Sequence, residues 1–126
     1  MDDYLNLQMK GLREVVYYSQ KLLPVVEDII FELRNGRKQD TGEILNLVIL
    51  GINWEIEMYN YCEKLVNADR SVIDKKQMTS AVNNLGVALK SAEDAQIARC
   101  LEKDFLPFLK NLEKASKQAL LVDFSK

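Results

Sequence analysis

The sequence predicts an all-α protein, an up-down-up-down four-helix bundle with kinks near Pro24 and Pro107, formed by residues 1–126 as a single domain. Three observations carry this. Apolar residues recur at steps of three and four over four separate stretches. Only five Gly and two Pro occur, which suits long helices and disfavours a many-turned β-sandwich. The joining segments are short and polar, which favours antiparallel neighbours. A chain of 126 residues is long enough for a real core, and 48% apolar with 29% charged residues is a globular balance rather than a disordered one.

In the first stretch Leu5, Met9, Leu12, Val16, Ser19, Leu23, Val26, Ile30 and Leu33 form one stripe, flanked by Val15, Tyr18, Leu22, Val25 and Ile29. Pro24 lies inside it, lacks a backbone N–H and clashes with the preceding turn, so a kink near residues 20–24 or two abutting helices are expected. Asn35-Gly36 ends the helix, with Gly36 as a left-handed cap. After Arg37-Lys38-Gln39, Asp40 or Thr41 caps the second helix, Asp40-x-x-Glu43 reading as a capping-box variant, and the helix runs to about Val66.

Asn67-Ala68-Asp69-Arg70 is a loop and Ser71-x-x-Asp74 a helix start. Met78, Ala81, Val82, Leu85, Ala88, Leu89 and Ala92 give the third helix its apolar face. Ser91-x-x-Asp94 marks a tight turn. The fourth helix steps through Ile97, Ala98, Leu101, Phe105, Phe108, Leu112, Ala115, Ala119 and Val122, interrupted at Pro107. Residues 123–126 are expected to fray.

The second helix is unusual. Its apolar residues cover most of the circumference, leaving a narrow strip of Asn46, Asn53, Asn60 and Asn67 with Glu57 and Lys64 alongside. A helix with so little polar surface is central or covered by a partner. Either the first and fourth helices wrap it within one chain, or a second copy or another protein covers part of it. The Asn row is either a solvent strip or a polar ladder at an interface, where buried Asn fixes register. Glu55 falls inside the apolar arc, so it must be paired, hydrogen-bonded or protonated. One reading gives it an Arg, Lys or Tyr partner across the bundle; the other makes it a ligand or partner contact. Gly51, one turn earlier, either permits a close backbone approach or is a tolerated core glycine.

Catalytic chemistry is not visible. The absence of His removes the usual His triads, phosphotransfer bundles and Glu-x-x-His di-iron sites. No Glu is followed at +3 by Glu or Asp, the spacing by which helical pyrophosphohydrolases hold Mg²⁺. There is no Gly-rich phosphate loop. Cys62 and Cys100 stand alone and read as reduced core thiols. Arg99, Lys103, Lys110, Lys114 and Lys117 form a basic outer face without interleaved aromatics, and the net charge is −2, so no nucleic acid is expected. Ile44–Ile52 is too short and interrupted to span a membrane. Met1-Asp2-Asp3 is acidic where a secretory leader needs basic residues, so a cytoplasmic location is expected.

Gly51–Met58 (GINWEIEM) and Ile97–Leu109 (IARCLEKDFLPFL) resemble segments of small bacterial helical proteins of unknown function, which have a G-hydrophobic-x-W segment in mid-chain and an I-A-x-L-L-E-x-x-L-x-P-L-L-like segment near the end. The resemblance implies a bacterial helical protein and no activity. Size and helical plan are also similar to flagellin-type export chaperones. The expected function is a non-enzymatic interaction module, without metal or cofactor, that binds a protein partner or a second copy of itself through Glu55, Trp54, Tyr17, Asn53 and Asn60. A chaperone for a client helix and a small-ligand or metal-dependent enzyme using Glu55 are the alternatives.

Overall fold

The computed structural model describes residues 3–67 and 73–122. The expected loop at 68–70, Ser71 and the fraying end at 123–126 lie outside the described residues. Helix α1 spans Asp3–Asn35, α2 Thr41–Val66, α3 Lys75–Ser91, α4 Asp94–Cys100 and α5 Leu106–Leu121. A π-helical turn, Leu101–Phe105, joins α4 to α5, so these three pieces make one rod, the fourth helix of the bundle.

Helix α1 packs along α2, α4 and α5, α2 packs also on α5, and α3 lies chiefly on α4 and the π-turn. The core centre on α1 falls between the two rows read from the sequence. Leu12, Ser19, Val26, Ile30 and Leu33 of the first are buried together with Val15, Leu22 and Ile29 of the second, while Val25 is exposed. On α3, Met78, Ala81, Leu85 and Ala88 are buried; Val82 faces solvent and Ala92 lies beyond the helix end, correcting the wider face expected there. Val122 is likewise exposed and outside the helix. Tyr59 and Phe108 meet edge to face at 6.3 Å in the core.

The two prolines have different outcomes. Helix α1 continues through Pro24 as one helix rather than two abutting ones. Pro24 is exposed, so the side of the helix that loses its hydrogen bond is open to water. At Pro107 the interruption takes the form of the π-turn: the Leu106 N–H donates to the Leu101 carbonyl, five residues back. The wider turn makes room where a proline ring would otherwise meet the preceding carbonyl.

Ends are fixed by local hydrogen bonds. Gly36 adopts φ 118° and its N–H donates to the Glu32 carbonyl. Asp40 occupies the cap position of α2 but makes no side-chain cap bond, which corrects the capping-box expectation. Instead the Thr41 hydroxyl donates to Glu32 Oε1 at 2.6 Å and accepts from the Lys38 N–H at 2.8 Å, tying the loop to α1. The start of α3 is capped by Asp74, whose carboxylate accepts from the Lys76 N–H at 2.9 Å. In the turn before α4, Ala92 takes a left-handed conformation with φ 57°. Arg37 grips Asp94 and Arg34 grips Glu102, each through two hydrogen bonds, across the same end of the bundle.

Candidate functional site

The site grows out of the seam between α1 and α2, which run antiparallel. Tyr4 meets Tyr61 edge to face at 5.3 Å, and Gln8 Nε2 donates to the Tyr61 carbonyl at 2.8 Å. One turn on, Gly11 of α1 leaves room for the Met58 methyl. Further along the roles reverse, and Gly51 of α2 receives the Tyr18 hydroxyl and a methyl of Leu22. Each glycine thus lets a large side chain from the other helix lie against bare backbone. Gly51 thus fits neither expected reading fully: it is approached closely, but by the Tyr18 and Leu22 side chains rather than by another backbone. Tyr18 seated there also meets Trp54 edge to face at 5.2 Å with an interplanar angle of 78°.

Above this seam the surface opens into a shallow groove of about 870 Å³. Tyr18, Trp54 and Gly51 form its floor, Leu47 and Leu50 one wall, and Tyr17 with Lys10, Arg13 and Glu14 the other. Leu47, Leu50 and Tyr17 are 63%, 64% and 63% exposed. Scattered single apolar residues are normal on a protein surface, and Val82 and Val87 on α3 are such cases. A contiguous group around a half-buried Trp is different, because three large side chains share one patch of water-facing surface. Lys21 places its ammonium 4.4 Å from the Tyr17 ring centroid, a cation–π contact that holds this exposed ring in place.

The structure divides the five residues singled out from the sequence. Tyr17 and Trp54 line the groove together. Asn53 and Asn60 are exposed on the outer side of α2 and do not line it. Asn46 is exposed with them, whereas Asn67 turns inward, donating to the Tyr59 hydroxyl at 3.1 Å and accepting from the Ile73 N–H. The row is therefore a solvent-facing strip over three of its four members.

Glu55 sits beneath the floor. It is next to Trp54 in sequence but points the other way, 0% exposed, as does Ser19 beside Tyr18. The Ser19 hydroxyl donates to Glu55 Oε1 at 2.9 Å, replacing the Arg, Lys or Tyr partner expected. Glu55 Oε2 and the buried Ser116 hydroxyl have no protein partner. Burial pushes the Glu55 carboxyl up to about 7, the Ser19 hydrogen bond pulls it down, and the negative charge of Glu113 on α5 raises it further. The rise favours the protonated form, which is how the group is tolerated without a cationic partner among the described residues.

Other chemistry is sparse. Cys62 is buried, donates weakly to the Gln8 carbonyl, and burial pushes its thiol up to about 11, so it is a poor nucleophile. Cys100 is half-buried and also raised by burial. Among the described residues no three His, Cys, Asp or Glu side chains are placed to share a metal ion. Among them also no helix is long and apolar enough to cross a membrane.

Sequence reasoning identified Tyr17, Trp54 and Gly51 but not that Lys10, Arg13, Glu14, Tyr18, Leu47 and Leu50 join them. The signal was present as a seven-residue spacing, Tyr4, Gly11 and Tyr18 on α1 against Leu47, Trp54 and Tyr61 on α2, and is meaningful only once the two helices are known to be neighbours.

Fold and site together define an all-helical bundle, over the described residues, whose first helix pair carries an open aromatic face rimmed by Lys10 and Arg13. The chain belongs to the family Domain of unknown function (DUF8042), which matches residues 11–115. Comparison with curated proteins and with solved structures returns no match.

Proposed function

We propose that this chain is a non-enzymatic helical interaction module and that the α1–α2 face is where it binds another protein surface. The observation that supports this most is the grouping of Tyr17, Leu47 and Leu50, all largely exposed, around the Tyr18–Trp54 floor. Covering these side chains would remove apolar surface from water at about 25 cal/mol per Å², and Tyr and Trp are the residue types that concentrate binding energy at interfaces. The site residues are therefore Tyr17 and Trp54 with Tyr18, Leu47 and Leu50, while Glu55 supports the floor from within.

A groove between two antiparallel helices is also a seat for a third helix, which favours the chaperone variant of the same reading, with an amphipathic client helix as the occupant. The enzyme reading has less support. Glu55 lines none of the described grooves, and its hydrogen-bond partner Ser19 supplies no base and no cation.

Site-specific photo-crosslinking in cells making the full chain tests the proposal. A photoreactive side chain in place of Tyr17 or Leu50 is expected to give protein cross-links, and one in place of the exposed Asn83 on α3 to give few. Equal yields from all three positions, or none from 17 and 50, would refute it.

A further inference from the structure

The α1–α2 face carries an uneven pattern of charge. On α1 its crest presents Lys10, Arg13 and Lys21 against one carboxylate, Glu14. On α2 the outer side at the same levels presents Glu57 between uncharged Asn53 and Asn60, with no cation until Lys64. The contacts of Gly11 with Met58 and of Tyr18 with Trp54 fix the level of one helix against the other. Arg13 then stands level with Glu57, and Tyr17 level with Asn53.

An isologous interface needs a patch that contains its own complement, and this face does. We propose that a second copy of the chain covers it, related by a two-fold axis running parallel to α1 and α2, so that each α1 lies on the partner's α2. Such an axis keeps every residue at its own level and exchanges the two helices. Arg13 meets the partner's Glu57, Tyr17 meets the partner's Asn53, and the two grooves close on each other at the axis. A two-fold axis perpendicular to the helices within the same plane would instead lay α1 on α1, bringing Lys10, Arg13 and Lys21 against the same cations, which is repulsive.

The extent of the face fits. From Tyr4 to Lys21 it runs about 26 Å at helical rise, and two helices are about 20 Å wide. That is about 500 Å² in projection, and side-chain relief brings it toward the roughly 800 Å² per partner typical of stable interfaces.

The proposal rests on reading the α1–α2 face as an interaction surface, and its test separates the two. Sedimentation velocity of the full chain from about 1 to about 100 µM brackets the range of ordinary self-association. The wild type is expected to sediment at twice its 14.5 kDa mass. Arg13→Glu alone and Glu57→Arg alone should each weaken the dimer about a hundredfold, about tenfold for each of the two charge pairs that the two-fold axis generates. The double variant should recover toward wild type, because the opposed charges are exchanged rather than lost. Helical content and melting temperature are followed for each variant, so that loss of fold is not read as loss of contact. A dimer in which the two substitutions do not compensate would overturn the axis. A monomer throughout would overturn the second copy as occupant; cross-links from position 50 to a different protein would then leave the interaction surface standing, and their absence would remove both.

Discussion

Glu55 shows how one residue can be structural yet conditional. In the unfolded chain its carboxyl ionises near the ordinary 4.5; in the fold it does so at about 7. Between those values the folded protein holds a proton that the unfolded chain has released. The stability it contributes is therefore full below about pH 4.5 and is lost as pH rises through 7. A shift of that size corresponds to roughly 3 kcal/mol. Urea unfolding of the wild type and Glu55→Gln at pH 5 and pH 8 should show the variant relatively more stable at the higher pH, with a flatter dependence; equal slopes would contradict this. The sequence placed Glu55 in the apolar arc by spacing alone. It also showed Ser19 as the one polar residue within the first stripe of α1, but pairing the two needs the register of α1 on α2, which no local pattern encodes.

For the helices as elements, the glycines make separable predictions. A Cβ at Gly51 would collide with the Tyr18 hydroxyl and press on the Leu22 methyl at 3.2 Å. Gly51→Ala should cost roughly 1–3 kcal/mol despite better helix propensity, and should shift Trp54 fluorescence as Tyr18 leaves the floor. A Cβ at Gly86 meets nothing within 4 Å, so Gly86→Ala should raise stability by about 0.5–1 kcal/mol in the same unfolding assay. Ala92 holds φ 57°, where glycine is unstrained, and Ala92→Gly should stabilise by up to about 1 kcal/mol. Two helix limits were readable from spacing and punctuation, Gly36 stopping α1 and Val66 ending α2, whereas α3 starts later than the Ser71-x-x-Asp74 pattern placed it, with Asp74 itself as the cap. The cap at Asp40 was misread because Thr41 bonds across to Glu32, a partner nine residues away on another helix.

At the level of the whole molecule, the excess of apolar residues on α2 has a specific resolution. Most of its arc is closed within the chain, against α1 and α5, around Val48, Ile52, Tyr59 and Cys62. Leu47 and Leu50 are left outside, beside Tyr17. The sequence could show that the helix was too greasy for a wet face but not which residues would go uncovered, because that depends on how α1 is rotated toward it. Leu50→Glu should leave the melting temperature within about 2 °C, since an exposed substitution away from the core changes stability by under about 0.5 kcal/mol. It should nonetheless abolish association.

The most direct measurement of the central claim, that the α1–α2 face is covered when the protein is at work, is thiol labelling in intact cells. Leu50→Cys is compared with Val87→Cys on α3, both positions being largely exposed in the isolated chain, with the wild type as background for Cys62 and Cys100. Slow labelling at 50 and fast labelling at 87, converging once the protein is purified and diluted, is the expected result. Equally fast labelling at both positions in cells would contradict the account.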